Sequence, residues 1–577
     1  MGCVSFANAL FASFMAASCG AAQAVPPSHA QQIVNAATAD PGAAADPLLV
    51  AMQQELAREQ KELVLPGMQR PYFMEYRLED LRTWEAVANF GALTSDAETH
   101  QRVVRVEVRI GDYSSDSSSA QGMGSLQLAP GDDDPAALKY ALWTATDEAY
   151  KTALRAYSEK QATLKRFQNA PTANDFTPAK PITHIEPLQV LAIDRDDWKH
   201  RIVQASGLYA TAPDVKSFAD DVQFSSANVS ALVATRYTVN TDGTVLRRGY
   251  SGYSDSINVS GQAPDGMELA RNNGSTATTA AALESWPALR KRTLDNLHSL
   301  DELRHAPVVD PEDYHGPVLF SGDAGADVFN KLFVPNIEAD RPDIGTTART
   351  QGAYQSSLRQ PVLPPFLTVV DDPTLQRFEG QSLVGAYAVD DEGVPVAPVT
   401  IVEKGKLVDY LVGREPVKDF PASNGHGRAM LGAAAHSKSG VLIVKPSPAL
   451  TEQQMHAKLL ALAKEQGRDV YEVETLGNEL TPRLLYRVTP EGKRTLVRGA
   501  VFDELDQRSL RSGIVAAGGK PYIAQAVTPL PQTTIVPELL FGDIAVKRAT
   551  EQQQKLPYYT PPAVGASPPA VGSGASH

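Results

Sequence analysis

Two aspartates and one histidine lie close together in the sequence, around a short apolar stretch. Asp323 and Asp327 are four residues apart, so a helix would carry both on one face, and His315 comes shortly before them. Two carboxylates and an imidazole can bind a hard or borderline cation. Acidic residues are also common in the first turn of a helix, because they interact favourably with its dipole. The spacing leaves two interpretations open: a weak metal site, or an ordinary helix start.

A polar, glycine-rich loop is a second candidate site. Its sequence at 423–428 is Ser-Asn-Gly-His-Gly-Arg. The glycines would let the backbone approach a ligand, and Arg428 could pair with a carboxylate. Asn424, His426 and Arg428 are therefore candidate peptide-binding residues. Because Asn-Gly also marks turns, the alternative is a conformationally demanding turn with a solvated arginine.

Several other chemistries have no support in the sequence. The chain has 11 histidines but no His-Glu-x-x-His, and it has no Gly-x-Ser-x-Gly. Residues 513–520 approach a phosphate-binding loop, but Pro521 stands where that loop needs Ser or Thr. The only cysteines are Cys3 and Cys19. Cleavage after Ala24 would leave no thiol for a disulfide, a nucleophile or a zinc site.

The elements around the two aspartates follow from hydrophobic spacing. Residues 317–320 are apolar over the length of a short strand. Ser321 is then placed to cap a helix whose apolar residues recur at helical spacing, and Pro335 ends that pattern. The sequence predicts a strand that leads directly into a helix.

The remaining patterns predict an α+β protein. Residues 102–110 alternate between apolar and charged, as in a half-buried strand, and Asp134-Pro135 opens a helix that should reach about Phe167. We assign residues 46–306, including a proline-rich connection at 169–187, to an N-terminal α/β layer domain. Residues 307–549 are rich in hairpins and predict a C-terminal domain of antiparallel sheets with inserted helices.

The strand and helix at 316–337, with the hairpins at 383–414, resemble the catalytic half of the TldD/PmbA family of zinc peptidases. The resemblance extends to other parts of the C-terminal half: the acidic turn segments 369–374 and 389–395, and the segments 486–500 and 508–514. It implies a TldD/PmbA-like fold for this half of the chain.

The resemblance also implies that the metal chemistry of the family is missing. In the family's active member the helix carries His-Glu-x-x-x-His, two metal ligands flanking a general base. Aligned on the apolar strand and on Gly325, Ser321 replaces the first histidine, Gly322 the glutamate and Ala326 the second histidine. The third ligand, a cysteine near the C-terminal end, has no counterpart here.

The function that the resemblance implies is that of a TldE/PmbA-like, non-catalytic subunit. Such a chain would hold no cofactor itself and would pair with a zinc-bearing, TldD-like subunit to act on unfolded peptides. Two alternatives remain open. One is an exported peptide-binding or scaffold protein without an enzymatic partner, and the other is an active metallopeptidase with an unrecognised site.

Composition and the chain ends bear on location and partners. The net charge of −14, from 53 basic and 67 acidic residues, argues against a nucleic-acid partner. Residues 1–24 predict an export signal cleaved after Ala24, with lipidation at Cys19 as the alternative. Residues 25–45 predict a linker, and the Pro/Gly/Ala-rich residues 550–577 predict a disordered tail. No other segment is apolar for long enough to span a membrane, so we expect a periplasmic or secreted protein.

Overall fold

The computed structural model describes residues 46–118, 124–167, 173–310 and 314–549. The expected export signal at 1–24, the linker at 25–45 and the tail at 550–577 lie outside these residues. No helix in the described ranges is long and apolar enough to cross a bilayer. The fold is α+β, with two large sheets that carry a few helices each.

The first sheet is built from residues 73–277 and has seven strands. Its spatial order is β3-β2-β1-β5-β6-β4, and β7 pairs with β6. Most pairs are antiparallel, and β4 and β6 are parallel. The strands are β1 (Phe73–Asn89), β2 (Ala92–Arg109), β3 (Ser125–Leu128), β4 (Thr183–Ile185), β5 (Phe224–Asn240), β6 (Val245–Gln262) and β7 (Glu268–Ala277).

Four helices cover this sheet: α1 (Pro47–Glu62), α2 (Pro135–Leu164), α3 (Arg195–Thr211) and α4 (Trp286–His305). The helix expected at Asp134-Pro135 is confirmed, because the Asp134 side chain accepts hydrogen bonds from the backbone at Ala136 and Ala137. One apolar core lies between α1, α2 and the sheet, and a second lies under α3 and α4. Short 3₁₀ turns occur at Lys216–Asp221 and Ala280–Ala282.

The first strand differs from its sequence pattern. The sequence predicts two strands, at 72–77 and 84–90. The structure has one continuous strand, β1, because β2 and β5 pair with it on both sides along nearly its whole length. Charged residues in its middle are also paired, as Glu79 is with Arg236 of β5. The alternation predicted for residues 102–110 is confirmed in β2, where Val104, Val106 and Val108 are buried.

The second sheet has eleven strands in the order β13-β12-β9-β16-β22-β8-β17-β18-β19, with β20 and β21 paired to β22. Two pairings, β16 with β22 and β8 with β17, are parallel, whereas the sequence pattern predicts antiparallel sheets. The bounds are β8 (Tyr314–Phe320), β9 (Leu367–Asp371), β12 (Val399–Glu403), β13 (Lys406–Leu407), β16 (Val441–Pro446), β17 (Val470–Leu476), β18 (Pro482–Val488), β19 (Arg494–Val497), β20 (Ala500–Asp503), β21 (Ile514–Ala526) and β22 (Gln532–Arg548).

Small elements complete this half. Two short hairpins are formed by β10 (Arg377–Phe378) with β11 (Gln381–Ser382), and by β14 (Gly427–Ala429) with β15 (Ala435–Ser437). The helices are α5 (Ala324–Val328) and α6 (Glu452–Gln466). Thr451 and Gln454, three residues apart at the start of a helical pattern, predict a capping box, and α6 begins with one. Short π-helical or 3₁₀ turns lie at Phe329–Phe333, Val334–Asn336, Asn478–Leu480 and Ser509–Gly513.

The predicted passage from strand to helix is present, but the cap is not where the sequence places it. The Ser321 backbone N–H donates to the Val473 carbonyl at 2.9 Å, so this residue continues the pairing of β8 with β17. Its hydroxyl donates to Glu472 Oε1 at 3.0 Å. Because both groups face β17, Ser321 cannot cap the helix, and α5 begins three residues later at Ala324.

Candidate functional site

A cleft of about 770 Å³ separates the two sheets next to α5. One wall comes from β6 and β7 of the first sheet, and the other comes from α5, the turn that follows it and the loop after β17. The lining residues include Asn258, Arg271, Asn272, Asp327, Asn330, Lys331, Thr475 and Arg483. Most of these side chains can donate or accept hydrogen bonds, so the cleft suits a polar, extended ligand better than an apolar one.

Asp327 of α5 lines the cleft, and Asp323, the residue just before α5, is close enough for its charge to affect Asp327. Burial raises the pKa of Asp323 to about 6, against the opposing effects of a hydrogen bond with Thr475 and the charge of Arg271. Burial, with a smaller contribution from the charge of Asp323, raises the pKa of Asp327 to about 7. Near neutral pH the pair therefore carries less than two negative charges. Strongly perturbed carboxyls in a cleft are typical of functional sites.

Two further residues belong to this group. Arg271, on β7, is 7% exposed, and burial lowers its pKa. Its Nε has no hydrogen-bond partner among the described residues. Burial and the two aspartates raise the pKa of Tyr522 to about 12. No local motif marks either residue, because β7 and β21 are distant from α5 in the sequence and come near it only when the chain folds.

The three positions that align with the family's metal motif do not form a metal site. Ser321 and Gly322 precede α5 and are not on it. Ala326 is fully buried, so its methyl group packs in the core. A serine hydroxyl, a glycine and an alanine offer no imidazole and no carboxylate, and zinc sites need such donors.

Gly322 also lacks room for the side chain of a general base. Its φ is +56°, and a Cβ at this position would lie 2.6 Å from the carbonyl oxygen of Glu474. That carbonyl accepts the Asp323 N–H at 3.2 Å, so it is part of the turn into α5. A glutamate at this position would force β17 and the turn apart. The residues present therefore do not fit zinc or its proton carrier.

The alternative metal site from the sequence is not assembled either. His315 lies near the start of β8, five residues before Phe320, so it is about 16 Å from the end of the strand where α5 begins. Within the described residues, no three His, Cys, Asp or Glu side chains lie close enough together to hold a metal ion. Of the three residues proposed, the structure brings together only Asp323 and Asp327.

The loop at 423–428 is an interior turn, contrary to the expectation of an accessible peptide site. Asn424 Oδ1 accepts from Val412 N at 2.9 Å, and its Nδ2 donates to Tyr410 O at 2.8 Å. His426 is fully buried, and its Nε2 lies 3.3 Å from Asp371 Oδ1. Arg428 is also buried, so the simpler expectation of a solvated arginine is wrong as well. A surface peptide could not reach His426 or Arg428, and both polar atoms of the partly buried Asn424 side chain are already bonded to the backbone.

Residues 313–478 match the family model described as the PmbA/TldA metallopeptidase C-terminal domain. This match relates residues 313–478, within the C-terminal half, to the TldD/PmbA family. A curated metalloprotease from Archaeoglobus fulgidus is 30% identical over 169 residues. That alignment covers 29% of this chain and only 35% of the relative. The match therefore relates this protein to metallopeptidases. The residues aligned with the family's metal motif, Ser321, Gly322 and Ala326, do not have side chains that bind zinc.

Solved structures show the same fold over more of the chain. A candidate modulator of a DNA gyrase from Thermotoga maritima has a TM-score of 0.59 at 14% identity, covering 86% of this chain and 99% of that one. TldE from Thermococcus kodakarensis has a TM-score of 0.57 at 12% identity, covering 86% and 99%. A candidate gyrase modulator from Bacteroides thetaiotaomicron has 0.58 at 11%, covering 86% and 98%. At these identities, the TldD/PmbA likeness outside residues 313–478 is one of fold.

Proposed function

We propose that this chain is the non-catalytic, TldE/PmbA-like subunit of a zinc metallopeptidase that acts on unfolded peptides. The observation that carries the proposal is the geometry at Gly322, where the family has its general base. The backbone conformation and the Glu474 carbonyl exclude a glutamate there without movement of β17. The likeness to the TldE fold supports the same role.

The chemistry of peptide hydrolysis supports a division of labour. A zinc peptidase needs a metal to polarise the carbonyl and to lower the pKa of bound water, and a carboxylate to move the proton. General-base help alone contributes about 10²–10⁴-fold in rate. Neither Ser321 nor Ala326 supplies a metal ligand, so in this proposal both contributions come from a TldD-like partner that binds zinc.

The contribution of this chain is a surface that holds the substrate. The cleft beside α5 has a volume of about 770 Å³, and the asparagines in its wall can pair with the main chain of an extended peptide. Arg271 can donate to a peptide carbonyl or carboxylate, since its Nε is free of partners in the described structure. Asp327 on the opposite wall can accept hydrogen bonds from peptide N–H groups or from a cationic side chain.

The proposal includes a location. Export through residues 1–24 would place the chain in the periplasm or outside the cell, as a cleaved or a lipid-modified protein. Its partner must then be exported as well. The partner that this proposal requires is a protein of the same fold that carries His-Glu-x-x-x-His and its own export signal. A neighbouring gene could encode it.

Reconstitution tests the proposal. The mature chain, the zinc-bearing relative and their mixture are each incubated with an unfolded peptide, with and without a chelator. We expect cleavage from the mixture only, and we expect the chelator to abolish it. The two chains should also co-elute in size-exclusion chromatography.

Two outcomes would contradict the proposal in different ways. Chelator-sensitive cleavage by this chain alone would show that it is an active metallopeptidase. Failure of the two chains to associate, with peptide binding retained, would favour the stand-alone peptide-binding protein.

A further inference from the structure

Two arginine side chains line the cleft beside α5 and have no hydrogen-bond acceptor. Arg271 is on β7 in one wall, and Arg483 is at the start of β18, next to the loop that forms part of the other wall. Arg271 is buried, and its Nε has no partner among the described residues. No hydrogen bond or ion pair joins either side chain to another residue that the structure describes. Their N–H groups are therefore available to a ligand in the cleft.

The loop before β18 allows Arg483 to lie at the cleft. A Cβ at Gly477 would lie 2.3 Å from Arg483 Nε, so only glycine leaves room for the guanidinium there. Glu479 and Leu480, in the same loop, have φ of +55° and +58°. Such a left-handed backbone is uncommon for residues other than glycine, and it clusters at ligand-binding sites.

The two guanidinium groups influence each other. Burial lowers the pKa of Arg271, and the positive charge of Arg483 lowers it further. A carboxylate has two oxygens that can each accept hydrogen bonds from a guanidinium, and its charge attracts both arginines at once. It is the group of a peptide that suits this pair best.

The protein's own carboxylates near Arg271 do not accept its hydrogen bonds. Tyr486, Asp323 and Glu474 act on its charge in the direction opposite to burial. Arg494 Nη2 already donates to Glu474 Oε1 at 2.6 Å. Asp323 offsets part of the charge of Arg271, but no hydrogen bond joins the two side chains. The electrostatic cost of burying Arg271 is thus reduced, while its donors remain without acceptors.

The carboxylates in the cleft walls leave a positive balance at neutral pH. Glu479 is paired with Lys331 Nζ at 3.0 Å, so these two charges cancel. Burial is the main reason that the pKa of Asp327 is raised to about 7, so this group is about half protonated at pH 7. Arg271 and Arg483 therefore outweigh Asp327, and the cleft can accept a negatively charged ligand.

We propose that Arg271 and Arg483 together bind a carboxylate of the substrate peptide, either its C-terminus or an Asp or Glu side chain. This inference rests on the proposed function, because it takes the cleft as the peptide site. It adds a preference among unfolded peptides: those that present a carboxylate to the arginine pair bind more tightly. A carboxylate held there would also fix the register of the peptide in the cleft.

Calorimetric titration of the mature chain with three synthetic peptides tests this inference. The first is acetyl-Ala-Ala-Phe-Ala-Ala with a free C-terminal carboxylate, the second is its C-terminal amide, and the third is acetyl-Ala-Ala-Asp-Ala-Ala amide. We expect a carboxylate to tighten binding about tenfold or more relative to the second peptide, because charged hydrogen bonds form. A gain for the first peptide identifies the C-terminus as the source of the carboxylate, and a gain for the third identifies a side chain.

The results that would overturn the inference are distinct from failure of the proposed function. Equal affinity for all three peptides would refute the carboxylate site, although the chain would still hold substrate. Absence of binding by all three would refute the site and also remove substrate binding from the role of this chain. Neither comparison needs a variant.

Variants then test which residues bind the carboxylate. Arg271→Met and Arg483→Met should each lower the preference for the carboxylate by about tenfold. The matched control is Arg290→Met, because Arg290 is exposed on α4 and does not line the cleft, so it should keep the wild-type preference. A preference that survives in both cleft variants would show that other residues bind the carboxylate, and the inference would be wrong.

Discussion

Alanine at Gly322 should destabilise the protein more than alanine at another glycine of similar backbone conformation. Gly322 has φ +56°, and a side chain in this left-handed region costs about 1–2 kcal/mol. Its Cβ would in addition lie 2.6 Å from the Glu474 carbonyl oxygen, a crowding that costs about 1–3 kcal/mol. We therefore expect Gly322→Ala to lower the free energy of unfolding by about 2–5 kcal/mol in total.

Gly380 provides the matched control. It lies in the β10–β11 hairpin with φ +84°, and a Cβ there would meet nothing within 4 Å. Gly380→Ala should therefore lower the free energy of unfolding only through the strained backbone, by about 1–2 kcal/mol. Denaturant unfolding of both variants and the wild type measures the difference. If Gly322→Ala is no less stable than Gly380→Ala, the Glu474 carbonyl is not an obstacle, and a base at this position is sterically allowed.

Three further predictions concern the cleft and the chain start. The folded-state pKa of Asp327, about 7, lies above its ordinary value of 3.8, so its stabilising effect is complete below pH 3.8 and is lost as pH rises through 7. Denaturant unfolding should show that the wild-type free energy of unfolding falls between pH 5 and pH 8, and that this fall is about 1–2 kcal/mol smaller in Asp327→Asn. The control Asp343→Asn, at an exposed position, should show the same fall as the wild type. Arg271→Ala should weaken binding of an unfolded peptide, measured by calorimetry, by about tenfold or more through loss of a charged hydrogen bond, and unchanged affinity would remove Arg271 from the site. Intact mass of the native protein should show cleavage after Ala24 or lipidation at Cys19, and an unprocessed chain in the cytosol would contradict export.

Local patterns in the sequence were enough to predict many elements. The alternation in β2, the Asp134 cap of α2 and the capping box of α6 each depend on residues within a few positions of one another. These signals survive folding because no distant contact competes with them. The α+β class and the strand before α5 follow from the same kind of evidence.

Other features depend on contacts between residues far apart in the sequence, so local patterns do not predict them. Ser321 has the composition of a helix cap, but pairing with β17 takes its hydrogen bonds. The loop at 423–428 looks polar and accessible, but His426 is buried and its Nε2 lies beside Asp371 of β9, 55 residues earlier in the chain. Arg271 carries no local signal at all, since β7 and α5 become opposite walls of one cleft only in the folded chain.

The zinc content of the purified chain tests the central claim most directly. The residues aligned with the metal motif, Ser321, Gly322 and Ala326, provide no ligand set, and the sequence after Ala24 contains no cysteine. The measurement is elemental analysis of the mature chain alone, after mild dialysis in zinc-containing buffer and removal of free metal. We predict no stoichiometric zinc. One zinc bound per chain would contradict the account.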